Sequence, residues 1–128
     1  MILLDSSVVV EYLRAPGGKL QRLFAQLRPA ICGVIRAEVL HGARDLAHLK
    51  VLSIALDQLP QHPIPQDIWD EMGRNLCELR LHGLTVPFAD ALIATIAIRD
   101  GMEVWTYDNH FRLIQSVLTT LPLFVEPP

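Results

Sequence analysis

The stretch Val86-Pro87-Phe88-Ala89-Asp90-Ala91-Leu92-Ile93-Ala94-Thr95-Ile96-Ala97 decides how this chain is built. Between Phe88 and Ile98 its only polar side chains are Asp90 and Thr95. A helix that is apolar on nearly every side is a buried helix. Proline suits the first helical turn, so Pro87 places the helix start ahead of Asp90 and leaves that carboxylate inside the turn. A carboxylate in such a place is expensive to desolvate unless a charge meets it. Just past Gly101, Glu103-Val104-Trp105-Thr106 reads as a strand, and Tyr107-Asp108-Asn109-His110-Phe111 follows it with a second acid.

Outward from this stretch the same alternation recurs. Met1-Ile2-Leu3-Leu4 is a short apolar run ending at Asp5-Ser6-Ser7, a buried strand followed by a helix from Val8 to Arg14. Leu20, Leu23, Phe24 and Leu27 fall at helical spacing after the Pro16-Gly17-Gly18 break. Ala30 to Val34 predicts a second inner strand, with Glu38 in the first turn of the helix that follows. Leu46 to Leu56 is again helical in period. His62-Pro63-Ile64 can be no more than a brief edge strand, because proline cannot donate to a ladder. Asp67 predicts a helix start running through Met72 and Leu79 to Gly83, His110 to Val117 a short helix, and Leu121 to Val125 a last strand. Strands alternating with helices mean βαβ units and a parallel sheet covered on both faces.

The 128 residues suit a single domain, 1–128, with no repeat, low-complexity tract or linker. With 51% hydrophobic residues the chain can fill a core, yet no uncharged apolar run is long enough to span a bilayer. Met1 leads directly into the first strand without the basic lead of a signal peptide, and Cys32 and Cys77 form no Cys-x-x-Cys pair. A cytoplasmic protein with two reduced thiols is expected. The net charge of −3 argues against binding nucleic acid by bulk electrostatics. The charge is uneven, however: residues 1–50 carry seven Lys/Arg against four Asp/Glu, and residues 51–128 four against ten.

In open parallel sheets the working crevice lies beyond the carboxyl ends of the strands. Asp5 and Asp108 each follow a strand, Glu38 follows the second strand at a distance, and Asp90 opens the buried helix. All four can meet at one sheet edge. Singly, each has a duller explanation, because aspartate caps helices and acids favour the first turn. Together they exceed what capping requires, since Ser6, Ser7 and Thr85 already offer neutral caps. Clustered carboxylates raise one another's pKa unless a cation neutralises them, and an oxygen-only set suits Mg²⁺ or Mn²⁺. His41 and His48 lack a zinc motif's spacing, and Gly17-Gly18-Lys19 lacks the rest of a P-loop.

Four segments together carry a resemblance: Met1 to Ser7, Val34 to Gly42, Asp90 to Thr95, and Thr106 to Phe111. In order and spacing, over essentially the whole chain, they resemble the PIN-domain nucleases, and among these the VapC-type toxins of toxin–antitoxin pairs. The resemblance implies an α/β fold, a three-layer α/β/α sandwich around a mostly parallel twisted sheet. It also implies an endoribonuclease that uses Mg²⁺ or Mn²⁺, works as a homodimer and is held inactive by a cognate antitoxin. The family's acidic quartet maps onto Asp5, Glu38, Asp90 and Asp108, with Asp5 and Asp108 as direct ligands and the other two ligating directly or through water. Its small hydroxyl residues map onto Ser6 and Thr106. One departure is visible, Ile35 where the family often has a hydroxyl three residues before the helix glutamate. Arg14, Lys19 and Arg36 are candidate RNA contacts by location.

The same resemblance leaves open a solitary RNA-processing nuclease. A phosphatase of the haloacid-dehalogenase kind should show Asp-x-Asp after its first strand, where Ser7 stands here. A receiver domain needs a lysine after a late strand, whereas Lys19 and Lys50 both lie in the first half.

Overall fold

The strand at the very start of the chain lies in the middle of the sheet. In the computed structural model, which describes residues 1–128, β1 (Ile2–Leu4) is buried at every position and pairs in parallel with β2 (Glu103–Trp105), Leu3 opposite Val104. Single parallel bridges extend the sheet on both sides, Leu3 to Ala30 and Ile31 to Gln61 on one, Val104 to Leu123 on the other. The order across the sheet is therefore Gln61, Ala30–Ile31, β1, β2, Leu123.

Seven helices cover this sheet: α1 (Ser6–Arg14), α2 (Lys19–Leu27), α3 (Gly33–His41), α4 (Leu46–Asp57), α5 (Trp69–Leu81), α6 (Phe88–Asp100) and α7 (His110–Val117). α5 and α7 pack on α6, which itself lies against β2, while α1 packs on α3 and α3 on α4. The outcome is the expected three-layer arrangement of helices about a parallel sheet. α6 is the helix read from the sequence, with every residue from Asp90 to Ala97 buried. Its one neutral polar side chain is satisfied, since Thr95 Oγ1 donates to the Ala91 carbonyl at 2.7 Å and accepts from Asn75 Nδ2 at 3.0 Å. α6 ends at Gly101, whose φ of +65° turns the chain into β2.

Several boundaries differ from expectation. The second strand pairs only through Ala30 and Ile31, because Cys32 already flanks a helix that begins at Gly33. Glu38 consequently lies in the second turn of α3, not the first. α5 begins at Trp69, because Asp67 belongs to the preceding turn and its carboxylate pairs with Arg99 at 2.7 Å. The last strand is a single bridge at Leu123.

α4 has a helical apolar period, and Asp45 caps it by accepting the His48 N–H at 2.7 Å. It nevertheless buries only Leu56, leaving Leu46, Leu49, Val51 and Ile54 exposed. No helix is long and apolar enough to cross a membrane.

Two glycines make a matched test of the backbone. A Cβ added at Gly73, inside α5, or at Gly101 meets nothing within 4 Å, so only conformation separates them. Gly73→Ala should stabilise the protein by about 0.5–1 kcal/mol, as a helix interior prefers alanine. Gly101→Ala should cost about 1–2 kcal/mol for forcing a Cβ into left-handed backbone. Urea unfolding of both variants checks this, and shifts of the same sign would refute the assignment.

Candidate active site

Asp5 is the residue at which β1 runs out into α1. It occupies the N-cap position, yet its side chain makes no cap hydrogen bond. Two hydroxyls hold it instead. Ser7 Oγ donates to Asp5 Oδ2 at 2.7 Å and Thr106 Oγ1 donates to the same oxygen at 2.9 Å. Each hydroxyl then accepts from the loop beyond β2, Ser7 Oγ from the Tyr107 N–H at 3.0 Å and Thr106 Oγ1 from the Asp108 N–H at 2.9 Å. The carboxyl ends of β1 and β2 are thus stitched through one carboxylate oxygen, leaving Oδ1 for the cleft.

Asp90 comes to the same place from α6. It is the third residue of that helix and 7% exposed, and its carboxylate caps nothing. Oδ2 is buried without a hydrogen-bond partner. His110 Nδ1 lies 3.3 Å from this oxygen and 3.3 Å from Asp108 Oδ1, within ion-pair reach but not in hydrogen-bonding alignment with Asp90. Asp108 is fixed from the other side, its Oδ1 accepting the His110 N–H at 2.9 Å.

Asp5, Glu38, Asp90 and Asp108 all line one cleft of about 370 Å³, together with Ser6 and Ser7. Val10, Glu11, Arg14, Pro87 and His110 complete its walls. Burial first, then the charges of Asp5 and Asp108, push the Asp90 carboxyl up from its ordinary 3.8 to about 6, with His110 pulling the other way. Burial and the charge of Asp5 also raise Glu38, which stands at the exposed rim. Carboxylates that raise one another are short of positive charge. A hard divalent cation with oxygen donors is the chemistry this set fits, and the orphaned oxygen of Asp90 points to the same need.

The basic candidates separate. Arg14 lines the cleft. Lys19 does not: its ammonium pairs with Glu126 at 3.2 Å, in a clasp that also takes Trp105 Nε1 at 3.1 Å and the Tyr107 hydroxyl. Partial burial pushes the Glu126 carboxyl up, but hydrogen bonds from Tyr107, Lys19 and Trp105 outweigh it and hold the group below its ordinary value. Arg36 is likewise engaged elsewhere, with Ser53 Oγ at 2.9 Å and Asp57 at 2.8 Å. Ser6, expected as a hydroxyl near the site, lines the cleft, while sequence reasoning missed Ser7, which holds Asp5, and His110. The signal for His110 was its place two residues after Asp108; judging histidines by mutual spacing hid it.

The PIN domain family model matches residues 2–116. Ribonuclease VapC11 of Mycobacterium tuberculosis is 33% identical over 125 residues, covering 91% of this chain and 93% of the relative. Ribonuclease VapC32 of the same species is 29% identical over 114 residues, 88% of each. Among solved structures, VapBC2 from Rickettsia felis bound to a promoter DNA fragment superposes with a TM-score of 0.82 at 21% identity, covering 97% of this chain and 98% of that one. DNA-bound VapBC from Salmonella typhimurium gives 0.81 at 20% identity and 96% of each.

Asp90 makes stability depend on pH in a definite direction. A carboxyl whose pKa is higher folded than unfolded holds more protons in the native state, so stability falls as pH rises through that interval. With 3.8 moving to about 6, metal-free protein should lose roughly 3 kcal/mol from this group between about pH 4 and pH 6. Asp90→Asn should lack that loss and be the more stable protein in EDTA near neutral pH. Urea unfolding of both across that interval is the check; a variant less stable than wild type in EDTA would mean the carboxylate is structural.

Proposed function

The chain belongs to the PIN-domain family, and from that membership we propose that it is an endoribonuclease, the toxin of a toxin–antitoxin pair, working with Mg²⁺ or Mn²⁺. The observation that carries the reading is the convergence of four carboxylates from separate elements on one cleft, one of them buried with an oxygen that no donor meets. The names of the relatives, ribonucleases all, support RNA as substrate, and the VapBC complexes among the structural neighbours support a protein partner.

Asp5, Asp90 and Asp108 would hold the cation, with Glu38 at the rim as the fourth acid. When bound, a divalent ion supplies an acidified water and charge relief on the phosphate. The chain's own residues do the positioning. Ser7 and Thr106 fix the rotamer of Asp5, so its free oxygen is aimed before any substrate arrives. Thr106 Oγ1 holds Asp108 by its backbone N–H, and the His110 backbone N–H holds its carboxylate. Arg14, the one basic candidate in the cleft wall, is placed to take a phosphate oxygen next to the cut. A larger hollow of about 870 Å³ adjoins the cleft through Asp108 and carries Tyr107, Asn109 and Arg112, a face suited to the continuing RNA strand. The exposed apolar side chains of α4, Leu46, Leu49, Val51 and Ile54, are surface that this chain leaves uncovered, which suits an antitoxin-bound state.

Purified protein incubated with mixed RNAs should cut in Mg²⁺ or Mn²⁺ and stop in EDTA, and Asp5→Asn should cut at least about a hundredfold more slowly. Expression alone should arrest growth, and co-expression of the neighbouring small gene should restore it. Cutting that persists in EDTA, or no cutting with metal present, would defeat the nuclease reading. Normal growth at good yield would leave an RNA-processing enzyme without a toxin's role.

A further inference from the structure

We propose that His110 is itself a ligand of the cation, through Nδ1, in a mixed nitrogen–oxygen site with Asp90 and Asp108, and that this nitrogen biases the centre toward Mn²⁺ over Mg²⁺. The inference rests on the metal-nuclease reading and adds a residue and a selectivity to it.

Three donor atoms from these residues lie within 4.8 Å of one another. Nδ1 is equidistant, at 3.3 Å, from Asp90 Oδ2 and Asp108 Oδ1. Donors in neighbouring positions around one ion, each about 2.1 Å from it, stand about 3 Å apart. The observed separations are those of adjacent ligands. A hydrogen-bonded pair would look different, with an imidazole N–H aimed at Asp90 Oδ2, and that oxygen has no donor. Oδ2 is a second observation that points to a cation, because it is an unpartnered oxygen on a residue 7% exposed and lies 3.3 Å from Nδ1. His110 opens α7, and its backbone N–H donates to Asp108 Oδ1 at 2.9 Å, which holds that carboxylate beside the ring. With the side chain 46% exposed, Nε2 can keep the proton and leave the Nδ1 lone pair for the ion.

The donor type decides the preference. Mg²⁺ takes oxygen and gives up its waters reluctantly, so an imidazole adds little to its binding. Mn²⁺ accepts carboxylate well and gains more from a nitrogen ligand.

The rival role for His110 is an imidazolium that neutralises Asp90 and Asp108 until metal arrives. The two roles predict opposite results. Removing a ligand weakens Mn²⁺ binding, whereas removing a competing positive charge tightens it. Full-length protein stripped of metal is titrated with Mn²⁺ and with Mg²⁺ by calorimetry, as wild type and as His110→Ala. The Mn²⁺-loaded wild type is examined by electron spin-echo modulation for an imidazole nitrogen. His110 is the one histidine lining the cleft, so that signal assigns the ligand even if the variant folds poorly.

The expected result is a nitrogen signal in wild type, with Mn²⁺ affinity about ten- to a hundredfold weaker in His110→Ala and Mg²⁺ affinity changed much less. Tighter or unchanged Mn²⁺ binding in the variant, with no nitrogen signal in wild type, would overturn the proposal and leave the carboxylate site standing. Wild type that binds neither ion would overturn the metal-nuclease reading along with it.

Discussion

A carboxylate in the first turn of a helix buried from Asp90 to Ala97 is the constraint around which this protein is arranged. Asp90 cannot move out to water, because every residue from Ala91 to Ala97 is committed to the core. Nor can it be neutralised by its surroundings, since Asp5, Asp108 and Glu38 add negative charge and only His110 adds the opposite influence. Burying such a group unpaired is among the costlier things a fold can do. The apolar length of α6, packed between α5, α7 and β2, offsets it. The site therefore holds a local instability that the rest of the core sustains, and a bound cation would relieve it.

The sheet supplies the geometry. With β1 central and β2 beside it, the two strands end side by side, and a single oxygen of Asp5 gathers hydroxyls from both ends. The hydroxyls pass the order onward to the Tyr107 and Asp108 backbone, so the loop bearing the second strand-end acid has little freedom left. Preorganisation here comes from neutral groups. That choice matters in a cleft with so many acids, because a hydroxyl can hold a carboxylate in place without spending the negative charge a cation needs.

Much of this was legible in the sequence because burial and chemistry conflicted in view. An aspartate amid eleven residues of nearly unbroken apolar sequence announces both a core helix and a site. The strand-to-acid steps at Asp5 and Asp108 could be read in the same way. What could not be read depended on phase and on distance. Ser6 and Ser7 differ only by their place on the turn of α1, and it is Ser7 that faces Asp5. The second strand looked longer than it is because Gly33 and Val34 fit a strand and a helix equally well, which moved Glu38 back by a turn. Lys19 and Arg36 were named as RNA contacts by location alone, and the ion pairs they make, with Glu126 and Asp57, join residues far apart in sequence. The period of α4 was visible, but periodicity says which face is apolar and not what covers it.

The pairing of β1 with β2 also orders events during synthesis. Asp5 is made well before the Thr106 hydroxyl that fixes it, which lies 101 residues later. A growing chain that still lacks β2 has an unpaired central strand, no Thr106 to orient the first acid and no Asp108 opposite it. Long-range closure of this kind is the slow kind. The acidic cleft therefore cannot take its final form until β2 and the loop beyond it have been made, and a shorter nascent chain holds only part of its acids.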